Sequence, residues 1–512
     1  MPSRDLPARP NLDHLKHEAK ALHRAFHEGD ATARRRIHDV LGDTPDLKLT
    51  DAQRVVAREH GFATWARLRA HVQASRGVSE AVAAFLAAVV ASDAAGAKRV
   101  LAAQPRIASE SLHVAAVLGL ADDAKRLIAE DGSRVAARAG DPAGDPLLFL
   151  CYSPFHGESA ERNAALLATA RVLLDAGADP NTRDGHYGVP ALYAVTGVRS
   201  VVPIARALLD AGANPTDGES VFHAAEHFHE DALQLLLDAG ADLNHVGDWG
   251  NTALHFLLRW WDVERSPRVR QGLVWLLEHG ADPNVRSAEE RESALHIAAR
   301  RGQSPAIVRL LLDHRADARL RRGDGSTAWR LASRGGFDAV VSLLESAGAE
   351  REPLSAADTL LAACGRGDAD AARRLTSPAV LAELTTPDRQ LVPEAAASSR
   401  DATVRACIAA GLPVDTTDAT GATALHHAAI HGNAALARML LDAGASLDIR
   451  DAEHSSTPLG WACFGADHAR DAGGDYEACV RALLEAGARP RADEHRPRHA
   501  GVRAVLRRFG AM

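Results

Sequence analysis

Apolar residues along this chain fall into two short recurring patterns separated by turn residues. One is a Leu-Leu pair closing a helical run and followed by a small or acidic turn. It reads LLDAGADPN at 173–181, LLDAGANPT at 208–216, LLDAGADLN at 236–244 and LLEHGADPN at 276–284. Weaker copies are LLDHRADAR at 311–319, LLESAGAE at 343–350, LLDAGASLD at 440–448 and LLEAGARP at 483–490. The other pattern lies upstream of each pair: TALHFLL at 252–258, SALHIAA at 293–299, TAWRLAS at 327–333, TALHHAA at 423–429 and TPLGWAC at 457–463. Each upstream phrase predicts a short helix, with Thr252 and Thr423 suited to accept from the first free backbone amides. The Leu-Leu phrase predicts a second helix, ended by a Gly suited to the left-handed position after the last turn. The Gly residues 177, 212, 240 and 280 are 35, 28 and 40 apart; Arg315 stands 35 further on in a Gly place, and Gly348 follows after 33. A period near 33 signals stacked helix pairs instead of separate globular domains.

These residues resemble the ankyrin repeat, whose unit is a hairpin tip with Asp and Gly, a T-P-L-H phrase and two antiparallel helices. Asp418 to Gly421 is a full-length tip, and Asp248 to Gly250 is one residue shorter. The resemblance implies an all-α ankyrin-repeat solenoid of about twelve stacked helix pairs with short β-hairpin loops. It covers residues 80–490, with 80–140 and 352–410 degenerate. Insertions at 153–164 (SPFHGESAERNA) and 466–475 (ADHARDAGGD) fall between the two helices of their units. Residues 1–76 do not follow the period. They read as a small helical module with helices near 11–28, 30–41, 50–60 and 64–72, a capping box at Thr50–Gln53, and a core of Val55, Val56, Phe62, Trp65 and Leu68. The phrase DAQRVVAREHGFATWARLRAHV is similar to a segment found ahead of bacterial ankyrin repeats. Residues 491–512 read as a cap or tail closed by a helix near 502–509, and Arg489–Met512 carries seven Arg.

Composition narrows the class. At 46% hydrophobic and 25% charged the chain folds, but 4% aromatic content is thin for one large core and fits Ala- and Leu-packed helices. A net charge of −8 opposes a general nucleic-acid binder. Five scattered cysteines without a CxxC pair exclude a disulfide or zinc framework and fit a reducing compartment. The apolar run 81–91 is too short to span a membrane, and the start MPSRDLPARP lacks a secretory core. These features point to the cytoplasm. Five Lys against 54 Arg in an Ala-rich chain point to a GC-rich bacterial genome.

Candidate chemistry is sparse. His223, His227 and His229 beside Asp231 have the spacing of metal ligands, but His223 reads as the T-P-L-H histidine of its unit, which the family uses for structural hydrogen bonds. No GxSxG, Walker loop, HExxH or dinucleotide turn occurs. No cofactor, metal or catalytic role is therefore expected. Cys364 and Cys463 read as small buried apolar residues.

The stronger candidates concern recognition. Trp275 reads as core, while Trp249 falls at the hairpin tip DWGNT and Trp260 where an inner helix meets the groove. Between Arg259 and Arg334 there are fifteen Arg and ten Asp or Glu, a net of +5 against −13 for the remainder. Arg259, Arg300, Arg301 and Arg334 follow the inner-helix core, positions that in this family line the concave groove. Stacking is expected to align them in a mutually repelling row that an acidic partner relieves. The expectation is a non-catalytic scaffold binding another protein, one with an acidic surface, through Trp249, Arg259, Trp260, Arg300, Arg301 and Arg334. The alternative is an enzyme or small-molecule receptor whose pocket is built by the two insertions.

Overall fold

The computed structural model describes Leu6 and residues 11–468, 473–491 and 494–510. Among these residues the regular structure is helical. Strand pairing is limited to isolated antiparallel bridges such as Arg183–Pro190, Arg321–Thr327 and Thr417–Thr423, which close hairpin tips ahead of a helix. The chain forms two compact units divided between Asp242 and Leu243.

The first unit opens with helices Leu12–His27, Ala31–Leu41 and Leu49–Glu59. Together with Leu68 and Val72 of the helix that follows, they bury Leu15, Leu22, Ile37, Val55 and Val56, with Phe62 and Trp65 packed against that core. Arg36 ties them together, donating to Glu59 at 2.9 and 2.6 Å and to Glu18 at 3.0 Å. Two expectations are corrected here. The third helix starts at Leu49, and the Asp51 carboxylate accepts from the Lys48 amide in place of a Thr50 box. The helix expected over 64–72 runs from Trp65 to Val90, because the Ala-rich sequence beyond Val72 offers only Gly77 and no proline to stop it. Its far end (Phe85, Leu86, Val89) belongs to a second core with Ile107, Val114, Phe149 and Phe155.

Helix pairs then stack along each unit. In the first they include Leu112–Leu118 with Ala121–Glu130, Pro146–Cys151 with Ala160–Asp175, and Ser220–His227 with Glu230–Asp238. In the second, inner helix Ala253–Trp260 packs on Ala294–Arg301, that on Ala328–Arg334, and that on Ala356–Gly365. Their outer partners include Pro267–Glu278, Pro305–Asp313 and Asp338–Ser346. The small residues Ala298, Ala299, Ala428 and Ala429 are fully buried, which lets neighbouring helices approach closely.

Two hydrogen-bond systems explain the recurring phrases. Nδ1 of His255 accepts from the Thr252 amide and hydroxyl (3.1 and 2.8 Å), while Nε2 donates to the Glu292 carbonyl of the next repeat at 3.0 Å. His426 does the same with Thr423 and Ser456. Burial pushes His255 down to about 4, which keeps the neutral ring this pattern needs. The Asn closing each GADPN phrase spans two repeats. Asn284 donates to the Arg315 carbonyl at 2.9 Å and accepts from the Asp317 amide at 2.7 Å; Asn181 makes the same pair with Gly212 and Asn214.

The degenerate stretch keeps its helices but loses its hairpin. Between the pair Ala356–Gly365 and Ala369–Leu375 and the pair Leu391–Ala397 and Asp401–Ala409 lie two short helices, Pro378–Glu383 and Thr386–Arg389. At the far end, Ala500–Arg508 packs on Tyr476–Glu485 through Val502, Val505 and Leu506.

Candidate interaction face

Arg259, Arg300 and Arg334 each stand seven residues after a helix cap, Thr252, Ser293 and Thr327 respectively, and their helices pack in sequence. The shared position is therefore real, but the expected mutual repulsion is answered inside the protein. Glu292, whose side chain is 0% exposed, lies at the centre. Arg259 reaches it at 3.2 Å, Arg300 at 3.1 and 3.3 Å, and Arg322 of the following hairpin at 2.7 Å. Burial pushes the Glu292 carboxyl up, and Arg300 and Arg322 outweigh that, leaving it below its ordinary value. Three guanidiniums from three successive repeats thus clamp one buried carboxylate.

Arg334 is engaged likewise. It donates to Asp358 at 2.9 Å and to Asp388 of the short helix Thr386–Arg389. Asp358 also accepts from Arg330 at 2.7 Å. Arg330 and Asp358 occupy the T-P-L-H histidine place, three residues after Thr327 and Ser355. Two adjacent repeats have thus exchanged the imidazole link for an ion pair.

What remains toward solvent is different. Trp249 is 72% and Trp260 66% exposed, so the loop after the Ala253–Trp260 helix does not cover the latter. That loop folds back instead, held by Gln303 donating to the Leu258 and Trp261 carbonyls. Arg301, exposed at the end of its helix, has no ion pair or hydrogen bond among the described residues. The protein crowding it lowers its guanidinium below the ordinary value; Glu394 opposes this, and Arg300 and Arg259 add to it. Trp275 is buried, stacked on His279 at 3.9 Å.

In the first unit, His223 is one place beyond the T-P-L-H histidine, a correction to the sequence reading. The helix there is capped at Glu219, so Phe222 takes the third position and His223 the fourth. Its Nδ1 donates to Glu226 at 2.6 Å and its Nε2 lies 3.3 Å from Glu219. His227 and His229 turn to the backbone oxygens of His223 and Thr196. The 153–164 insertion is filled, not hollow: Phe155 is buried, Ser153 donates to Val117 O at 2.8 Å, and His156 bonds Leu150 O at 2.9 Å. Of the second insertion, residues 469–472 lie outside the described residues.

Family models for ankyrin repeats match residues 221–265, 268–354 and 392–494. Human cyclin-dependent kinase 4 inhibitor B is 35% identical over 111 residues, 22% of this chain and 70% of that one. The chain belongs to the ankyrin-repeat family. Other matches are partial. A homolog of transient receptor potential cation channel subfamily A member 1 from Caenorhabditis elegans is 31% identical over 203 residues, 39% of this chain and 16% of that one. Human ankyrin repeat and SOCS box protein 16 is 33% identical over 119 residues, 23% of this chain and 24% of that one. The chain thus spans less than a quarter of these two proteins. The solved ankyrin repeat domain of human ASB11 aligns at 22% identity and a TM-score of 0.34, over 48% of this chain and 99% of that one.

Sequence reasoning named the ankyrin row of arginines but missed the acids that hold it. A signal for Glu292 was present. The residue just before the cap is Asn251, Ser326, Ala422 or Ser456 in other repeats, so a long acid in that place is the outlier. Arg330 and Asp358 were legible in the same way, as opposite charges replacing histidine in adjacent ankyrin units.

Proposed function

We propose that this protein is a non-catalytic interaction scaffold that binds another protein through the inner-helix face and hairpin tips of residues 243–512. Trp249, Arg259, Trp260, Arg300, Arg301 and Arg334 form the site, and the partner presents an acidic surface. The exposure of Trp249 and Trp260 carries this reading. Tryptophan left in water costs solvation free energy, and it is enriched among the few residues that dominate protein interfaces. The arginine clamps set the face rigidly, so a partner meets a preorganised surface. One relative is by name an inhibitor of a kinase, an activity exerted on another protein. Five buried free thiols suit a cytoplasmic scaffold; among the described residues, no helix is long and apolar enough to cross a membrane.

Affinity purification from the native cell with mass spectrometry identifies the partner. The paired substitution Trp249→Ala, Trp260→Ala then tests the face. Loss of the partner with an unchanged melting temperature is expected. A partner retained at full affinity by that variant overturns the reading.

A further inference from the structure

Two neighbouring inner helices of the second unit end in an unusual pair. Trp260 and Arg301 each stand eight residues after their caps, Thr252 and Ser293, and the two helices pack against each other. One presents an indole largely in water, the other an exposed guanidinium that makes no ion pair or hydrogen bond among the described residues. Just behind them, Arg259 and Arg300 share the buried Glu292 with Arg322, which also pairs with Asp324 at 3.1 Å, so these three guanidiniums are engaged inside the protein while Arg301 beside them is not. The same row shows what it accepts from outside its own repeats. One helix further on, Arg334 takes the carboxylate of Asp388, which is 54 residues away on a connecting segment.

We propose that Arg301 and Trp260 receive an acidic segment of a partner protein, with a carboxylate on the Arg301 fork and an adjoining apolar side chain against the Trp260 ring. This rests on the reading of the face as a partner site and narrows its acidic surface to one segment with a carboxylate at Arg301 beside an apolar side chain at Trp260. Arginine suits the role because its planar donors match a carboxylate in two-pronged geometry. Tryptophan supplies the apolar anchor that charge alone lacks. A nucleic-acid strand offers anions and flat bases too. It is disfavoured because a phosphate backbone needs a run of free cations, whereas Arg259, Arg300 and Arg334 are already committed to carboxylates.

The probe is a fluorescein-labelled, glutamate-rich peptide with interspersed leucines, titrated with the full chain and followed by fluorescence anisotropy. A lysine-rich counterpart and a single-stranded oligonucleotide are run beside it. The acidic peptide is expected to bind, more weakly as salt rises. Arg301→Ala should weaken it about tenfold, and Arg301→Lys should restore only part of that. Trp260→Ala should weaken it several-fold, while Arg405→Ala, on the exposed side of an outer helix, leaves it unchanged. Thermal melting should stay the same throughout, so weaker binding cannot be blamed on unfolding. Equal affinity in Arg301→Ala overturns the proposal, and so does tighter, Arg301-dependent binding of the oligonucleotide. A native partner that is lost with Trp249→Ala, Trp260→Ala but kept by Arg301→Ala would sink the acidic-segment assignment alone. One kept by all three substitutions would sink the face as well.

Discussion

Glu226 in the first unit and Arg300 in the second hold the same place, seven residues after the caps Glu219 and Ser293. Each belongs to an internal charge cluster, and the clusters are built in opposite senses. In the second unit permanent cations surround one buried carboxylate. In the first, two carboxylates hold one imidazole, with Tyr193 edge-on to the ring at 4.8 Å. The repeat therefore fixes where charge is placed on this face without fixing its sign or its response to pH. Guanidinium stays charged across the accessible range, whereas an imidazolium can be lost.

The sharpest way to break the contrast is to remove the buried acid. Glu292→Gln keeps the shape and leaves Arg259, Arg300 and Arg322 without their shared counter-ion. Breaking a buried pair typically costs about 3–5 kcal/mol. A melting temperature within a degree or two of wild type would show that the cluster is not what holds these repeats together. Glu290→Gln, on the exposed neighbour 3.8 Å from Arg322, should cost less than about 1 kcal/mol.

The first unit should instead be sensitive to base. Burial alone would push His223 down, but its hydrogen bonds to Glu219 and Glu226 outweigh this and raise it to about 9. Because that lies above the unfolded value, the stability it contributes is complete below about pH 6.5 and is lost as pH rises through about 9. The loss should reach up to about 3 kcal/mol. Hydrogen exchange over residues 191–240 should report it, and His223→Gln should flatten the profile while exchange around Glu292 keeps its pH response. Equal pH profiles for wild type and His223→Gln would remove the distinction between the clusters.

A smaller effect tests the turn that follows the outer helix Pro305–Asp313. Arg315 adopts φ +68° where other repeats place glycines with φ between 76 and 105° (Gly177, Gly212, Gly240, Gly280, Gly348, Gly411, Gly444 and Gly487), so a side chain is held in the left-handed region. Arg315→Gly should raise stability by about 1 kcal/mol. A lower melting temperature would mean that the Arg315 side chain stabilises the turn by more than its backbone strain costs. Smallest of all, Trp249→Ala should change stability by less than about 0.5 kcal/mol, since it sits largely in water. A larger loss would make it a structural residue and weaken its role at the interface.

Repeat length, helix pairing, turn chemistry and the exposure of Trp249 were legible in the sequence because each depends on residues a few places apart. A cap needs an acceptor within three residues, and a GADPN turn carries its own Asx geometry, as in the Asn284 amide bonding Asp282 at 2.8 Å. Register within the unit that holds His223 was less secure. His223 read as the histidine of the recurring phrase because HAA follows the pattern, yet the cap at Glu219 shifts it by one residue. Only the tertiary structure decided the state of the arginines. Arg259 meets Glu292 across 33 residues and Arg334 meets Asp388 across 54, and no local rule reports such distances. Whether a charge is free or neutralised depends on what the stacked neighbours bring within a few ångströms and on how much water they exclude. Sequence could align the arginines, but packing determined that Arg259, Arg300 and Arg334 are clamps, while Arg301 faces solvent and makes no ion pair among the described residues.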